Sequence, residues 1–418
     1  MKAQSHSPTT AVFLTVFIDL IGFGIVIPLL PLYAEQYHPT PLQFGLLMSS
    51  YSAMQLLFAP LLGRLSDRIG RRPVLLGSLL GTVAGYLLFA FAGSLPILFA
   101  SRIIDGITGG NIGTAQAVIA DVTTGSDRAR GMGLIGMAFG LGFIFGPALG
   151  GFTVHISPAA PGIAAATLSF IAFLWTWFKL PETRPAGSNV RPFEILSFAS
   201  VLRTARRPVV GTLMVMSLLT ATAFSNFEAT FSQFLKARFG FTPATVAWMF
   251  VMVGVTSAVV QGGLLKRLVA RVGEVWLIIA GTLSLALAFA LMIGVSSRGL
   301  LAVTAVLLAI GSALLNPSLM GFVSRQTLPT EQGEVLGSFQ SMAALGRIVG
   351  PFWGENVFLR FGAVGPYGTG IVLEAAAFVL ASVGLGGSRR FSRPSERSGQ
   401  NGSLRPPEPG TSPHPPSS

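Results

Sequence analysis

The chain has 418 residues, 51% hydrophobic and only 11% charged, with a mean hydropathy of +0.67, a composition that excludes a soluble globular protein and places it in a bilayer. Its formal net charge of +12 would suit a nucleic-acid partner on a soluble chain, but here the basic residues gather in the connections between apolar segments, so none is expected. Cysteine is absent, which excludes disulfides, thiolate metal sites and thiol catalysis.

A crossing of the roughly 30 Å hydrocarbon core needs about 20 mostly apolar residues. Twelve segments meet that length, and their apolar runs are continuous rather than alternating, so they read as helices and not as barrel strands. Helix 1, over 11 to 33, is too long for a signal peptide, carries Asp19 in its interior and lacks a small-x-small cleavage site. It is expected to be retained after a short N-terminus, 1 to 10. Helix 2, over 42 to 62, carries Gln55 and runs into Gly63-Arg64-Leu65-Ser66-Asp67-Arg68-Ile69-Gly70-Arg71-Arg72-Pro73, a basic break before helix 3 at 73 to 93. Helix 4, over 95 to 119, holds Arg102, Asp105 and Gln116. Helix 5, over 132 to 153, contains Gly142, Gly146, Pro147, Gly150 and Gly151, which favour close packing and a bend. Helix 6 spans 162 to 179. The polar, proline-containing stretch 181 to 208 then reads as a cytoplasmic linker between two six-helix bundles, 11 to 180 and 209 to 387.

In the second bundle helix 7, over 209 to 235, carries Asn226, Glu228 and Gln233, and helix 8, over 244 to 265, carries Gln261. Helices 9 and 10 span 275 to 296 and 300 to 322, the latter with Asn316. Helix 11, over 334 to 358, holds Gln340 and Arg347, and helix 12, over 365 to 386, holds Glu374. The tail, 388 to 418, is rich in Pro, Ser, Gly and Arg and is expected to be disordered.

The halves repeat. Leu62-Gly63-Arg64-Leu65 aligns with Leu265-Lys266-Arg267-Leu268, Arg68 with Arg271 and Gly70 with Gly273, all at an offset of 203 residues. Gly146-Pro147 matches Gly350-Pro351 at 204. Duplicated six-helix halves are common in transporters that rock about a central site. In the second copy Asp67 and Arg71 are replaced by Ala270 and Glu274, so the loop's charge logic is expected to survive in the first half alone. Without the tail, 17 Lys and Arg fall on the side of the N-terminus against 4 on the other, which predicts both termini inside the cell.

Three stretches give the chain a family resemblance: Gly63 to Pro73, Arg102 followed by Gly106 in helix 4, and Gly142-Phe143-Ile144-Phe145-Gly146-Pro147-Ala148-Leu149-Gly150-Gly151. Together they resemble the signatures of major facilitator superfamily transporters, and within them the drug:proton antiporters nearest the tetracycline-efflux group. The resemblance implies an all-α fold of two pseudo-symmetric six-helix bundles. It also implies a cytoplasmic gate at Gly63, Asp67, Arg68, Gly70, Arg71 and Arg72, with Asp67 meeting the positive N-terminal end of helix 11. Gly63, lacking a side chain, is expected to let helix 2 approach a neighbour, and the helix 5 glycines with Pro147 are expected to form an antiporter hinge.

Charges inside a bilayer cost at least a few kcal/mol each and invite a functional reading. Asp19 lies about 12 Å from the cytoplasmic edge, Arg102 about 20 Å and Asp105 about 15 Å, so the three can share one cluster. Arg102 and Asp105, three residues apart, can also pair directly. Burial and a nearby guanidinium pull a carboxylate's titration in opposite directions, and their balance can bring it near working pH. Asp19, Arg102 and Asp105 are therefore candidate proton-coupling residues; the alternative is a fixed Arg102–Asp105 pair beside a passive Asp19. Arg347 and Glu374, at matching depths of about 16 and 15 Å from the outer edge, are read as a structural pair. Gln55, Gln116, Asn226, Glu228, Gln233, Gln261, Asn316 and Gln340 are candidate cavity residues.

The chain departs from the tetracycline-efflux pattern where those members carry an acidic residue before a Tyr-Leu-Leu run: here Gly85 precedes Tyr86-Leu87-Leu88. Helices 8 and 9 also lack histidine. The expected activity is export of small lipophilic or amphiphilic, drug-like compounds in exchange for protons. The alternatives are a metabolite or sugar carrier, working by symport or facilitated transport, or lipid translocation. No P-loop, His-Glu-x-x-His or Gly-x-Ser-x-Gly pattern occurs, so no enzyme activity is expected. Expected partners are the substrate, protons and the bilayer, with the chain a monomer in the inner membrane, and no cofactor or metal is expected.

Overall fold

A computed structural model of the chain describes residues 8–123, 134, 138, 141, 142, 144–183, 198–327 and 332–385, and secondary structure among them is helical throughout. The first half runs α1 (Pro8–Val26), α2 (Leu30–Glu35), α3 (Pro41–Ile69), α4 (Arg71–Ala90), α5 (Leu95–Thr108), α6 (Ile112–Val122), α7 (Ile144–Thr153) and α8 (Ala160–Lys179). After α9 (Phe198–Ala205) the second half runs α10 (Pro208–Phe239), α11 (Pro243–Val259), α12 (Leu265–Val272), α13 (Glu274–Gly294), α14 (Arg298–Arg325), α15 (Gln332–Phe361) and α16 (Gly365–Gly384). Nine helical segments among the described residues are long and apolar enough to cross a membrane. The other crossings read from the sequence correspond to the broken α5–α6 rod, to helix 5 and to α15. The chain is a multi-pass membrane protein with two helix bundles.

Local chemistry sets the helix ends. Thr40 opens α3 with a capping box, accepting from the Gln43 amide while the Gln43 side chain accepts from Thr40 N. Proline occupies the first turn of α3, α5, α8, α10, α11 and α16, where its missing donor would have no partner. Gly240 closes α10 in the left-handed conformation at φ 65°.

Packing repeats between the halves. In the first, α8 packs on α1 and α4, and α5 packs on α3 and α4; in the second, α16 packs on α10 and α13, and α14 on α11 and α13. Lipid tails are as apolar as leucine, so close fit drives this association more than exclusion of water. Two glycine ladders provide that fit. Gly142, Gly146 and Gly150 of helix 5 lie against Leu20, Gly24 and Ile25 of α1, and a methyl added at Gly146 would stand 2.5 Å from Gly24 Cα. Gly346, Gly350 and Gly354 of α15 lie against α10 in the same way, a methyl at Gly350 falling 2.6 Å from the Thr222 carbonyl oxygen. All three pairs share the 204-residue offset.

Three sequence expectations change here. The basic break is mostly helical: α3 continues to Ile69 and α4 begins at Arg71, leaving Gly70 alone between them. Gly63 has open space within 4 Å of where a side chain would start, so it brings no neighbour close. Close approaches sit instead at other glycines, among them those of helix 5 and α15 and, against α3 itself, Gly106 and Gly110. Helix 4 is not continuous, because Gly109–Asn111 forms a 3-10 turn between α5 and α6. The linker expected over 181 to 208 includes α9, which packs on α10 and α15; the tail and residues 184–197 of the linker lie outside the described residues.

Candidate functional site

At the end of the bundles that carries the basic motif, Arg71 is the hub. Buried to 6% exposure, it pairs through Nη2 with Asp67 Oδ1 at 2.8 Å and through Nε with Asp121 Oδ2 at 3.1 Å, and donates from Nη1 to Ser66 Oγ at 2.7 Å. Glu182, just after α8, accepts the Arg71 and Arg72 amides on its two carboxylate oxygens at 2.9 and 3.1 Å. It thus caps the positive start of α4. Gly70 is required twice over, by its φ of 105° and because a side chain there would run into the Glu182 carboxylate. Arg72 stacks over Trp177 at 5.6 Å. The resemblance assigned Asp67 to the start of helix 11; the side chains there, at 332–334, lie outside the described residues, and Asp67 is seen with Arg71.

At mid-depth the first half encloses a charge cluster. Arg102 Nη1 lies 3.1 Å from Asp105 Oδ2, its Nε and Nη2 donate to Ser101 Oγ, and its guanidinium sits over the rings of Tyr86 and Phe89. Both charged groups are 2% exposed. Asp19 lies in electrostatic reach of Asp105 and is hydrogen-bonded by Asn111 and by Ser169, whose Oγ stands 3.3 Å from Asp19 Oδ1. The 3-10 turn that breaks helix 4 is what delivers Asn111 to Asp19. The structure brings the three sequence candidates together. It also gives Gly85 a reason: a side chain there would meet Asp105 Cβ at 3.2 Å, so α5 places its acidic group against α4 where α4 has none of its own.

Tyr51, on α3, joins this cluster to the second half. Its hydroxyl accepts from Gln55 Nε2 at 3.3 Å, Gln55 also donates to the Gly109 carbonyl at 3.0 Å, and the Tyr51 ring lies 4.9 Å from Phe23. Asp19, Asp105 and Arg102 are within its electrostatic reach on one side and Arg347 on the other. Asp19, Tyr51, Gln55, Glu228 and Arg347 are all half-buried, and Gln340, two turns before Arg347 on α15, is exposed. Asn316 is exposed, and Gln116 and Gln261 are half-buried, Gln261 within a π-helical turn over Val260–Leu264.

Two assignments are corrected. Arg347 and Glu374 do not pair: both Glu374 carboxylate oxygens are buried without a hydrogen-bond partner, and the carboxylate acting on Arg347 is Glu228. Matching depth did not put the two on facing sides. Asn226 is not free for a cavity, because its Nδ2 clamps α10 to α16 through the Pro366 carbonyl at 2.8 Å and Thr369 Oγ1 at 3.3 Å. Gln233 is buried beside Glu355 near the far end of α10.

At that far end the halves are joined. Ser232 Oγ donates to the Pro28 carbonyl at 3.0 Å and Lys236 ion-pairs with Glu35; nearer mid-depth, Ser49 Oγ donates to the Ile348 carbonyl at 2.6 Å. Gly45 lies against Phe352, and Gly151 against Ala247.

Residues 12–224 and 213–413 each match the Major Facilitator Superfamily. The class C tetracycline resistance protein of Escherichia coli is 35% identical over 352 residues, 83% of this chain and 89% of that protein. Major facilitator superfamily domain-containing protein 10 of Homo sapiens is 32% identical over 405 residues, 85% of this chain and 88% of that protein. The crystal structure of the human organic anion transporter MFSD10 (TETRAN) superposes with a TM-score of 0.72 at 29% identity, covering 91% of this chain and all of that one. The nucleoside transporter NupG superposes at 0.74 with 15% identity, covering 91% and 99% of the two chains, a likeness of fold alone.

Proposed function

Because the chain belongs to the major facilitator superfamily, we propose that it exports small lipophilic or amphiphilic compounds in exchange for protons, by alternating access of its two bundles about the Tyr51 region. The observation that carries this reading is the Asp19–Asn111–Ser169 arrangement beside the enclosed Arg102–Asp105 pair. A half-buried carboxylate held by hydrogen bonds, next to a second carboxylate and one compensating arginine, has the parts of a proton-exchange site. In this role Asp19 exchanges the proton, Asp105 supplies the neighbouring negative charge and Arg102 the fixed positive one.

The basic end is read as cytoplasmic and the far end as external, with both termini on the cytoplasmic side of a bacterial inner membrane. On that reading the contacts Ser232–Pro28 and Lys236–Glu35 close the outer face, Ser49–Ile348 ties the bundles nearer mid-depth, and the Asp19–Tyr51 region serves the cytoplasm in this conformation. The Arg71 hub stabilises the first bundle's cytoplasmic end, and the glycine ladders let α1 and α10 pivot against helices 5 and 11. Asp105 in the space beside Gly85 distinguishes this cavity from the tetracycline-efflux pattern and favours other amphiphilic substrates.

The test uses everted membrane vesicles carrying an imposed proton gradient and a panel of toxic lipophilic compounds. Antiport predicts that a substrate collapses the gradient, and that the growth protection the protein gives a pump-deficient host disappears with a protonophore. Substrate movement with no proton movement would make the protein a facilitated carrier instead.

A further inference from the structure

The two arginines at mid-depth are treated differently. Arg102 is enclosed, paired with Asp105, bonded to Ser101 and covered by two aromatic rings. Among the described residues no hydrogen bond or ion pair reaches the Arg347 guanidinium, and Glu228 is the carboxylate that acts on it electrostatically. Arg347 and Glu228 are each half-buried and form no direct ion pair or hydrogen bond with one another.

The backbone fixes where that guanidinium stands. Ser49 of α3 holds the carbonyl of the next residue, Ile348, at 2.6 Å, so this turn of α15 lies on the seam between the bundles. Gly346 and Gly350 on either side press α15 onto α10. Across the seam Tyr51 accepts its hydrogen bond from Gln55 and keeps its own proton to donate, while Phe23 extends an aromatic wall beside it. A guanidinium with no direct partner at this depth is expensive, and its planar fork of donors fits a carboxylate or similar oxyanion.

We propose that Arg347 binds the anionic head of an amphiphilic substrate, a lipophilic carboxylate or related oxyanion, with Tyr51 donating from the opposite bundle and the aromatic wall taking the apolar body. This rests on the transporter reading above and names its substrate class. Glu228 shares the field of Arg347, so an incoming anion competes with it and binding stays reversible.

The test is equilibrium binding of radiolabelled naphthylacetate and its uncharged amide to the full-length protein, first in detergent and then in nanodiscs with and without anionic lipid. The acid is expected to bind about 10- to 100-fold more tightly than the amide. Arg347→Gln should abolish that preference while melting no lower than the unaltered protein, which reports an intact fold, and Arg347→Lys should keep part of it. Equal affinities, a preference that survives Arg347→Gln, no binding of the acid, or loss of acid binding when anionic lipid is present would overturn the proposal, the last by assigning the site to a lipid headgroup. Binding needs no gradient, so the two readings separate. Acid preference in a protein that moves no protons overturns the antiport reading alone, and proton-coupled export without acid preference overturns this one alone.

Discussion

The basic ends of the two halves make the same tie with opposite signs. In the first half Arg71, opening α4, pairs with Asp121 at the end of α6; in the second, Glu274, opening α13, pairs with Arg325 at the end of α14. The positions correspond at offsets of 203 and 204, so duplication kept the bond and exchanged the charges. The expectation that loop charge logic survives only in the first half is thus corrected. Helix polarity explains the difference. A carboxylate at a helix start and a guanidinium at a helix end both suit the backbone dipoles, so the second half is locally self-consistent. The first half has the reverse arrangement and recruits Glu182 from beyond α8 to neutralise the start of α4. A tie that depends on a distant segment is the one better placed to reorganise.

That comparison can be broken at several points. The largest effects are expected where the halves agree, at the glycine ladders. Gly146→Leu and Gly350→Leu should each cost about 3 kcal/mol or abolish recovery of folded protein, seen as a lower melting temperature in detergent. Gly63→Leu should leave the melting temperature nearly unchanged, since nothing lies within 4 Å of it. Next comes the sign-exchanged tie. A double-mutant cycle between Arg71→Gln and Asp121→Asn should give a coupling of about 2 kcal/mol, because Arg71 is enclosed. The same cycle for Glu274→Gln and Arg325→Gln should give less than about 1 kcal/mol, because the Arg325 side chain is 59% exposed and screened. Equal couplings would remove the asymmetry. The smallest effect belongs to Glu182→Gln, about 1 kcal/mol of stability through weaker capping of α4, with no counterpart in the second half.

Much of this was legible in the residues. Continuous apolar runs located the crossings, and the shared offsets revealed the duplication. Both glycine ladders could have been read too, since glycines four apart recur at 142, 146, 150 and at 346, 350, 354. Depth along a helix also follows from counting, which is why Asp19, Arg102 and Asp105 were grouped correctly. Azimuth does not follow from counting, and that is why Arg347 was paired with Glu374. The role of Asn111 depended on a 3-10 turn that Gly109-Gly110 hinted at, and that of Glu182 on a contact spanning 111 residues to Arg71, beyond any local pattern.

The central claim is a division of labour, with proton exchange in the first half and substrate charge recognition in the second. Its most direct test is proton release driven by substrate in proteoliposomes, comparing Asp19→Asn with Glu228→Gln at matched protein incorporation. The account predicts that Asp19→Asn binds substrate but moves no protons, whereas Glu228→Gln still exchanges protons for substrate with altered affinity. Full proton exchange by Asp19→Asn, or its loss in Glu228→Gln alone, would place the switch in the other half and contradict the account.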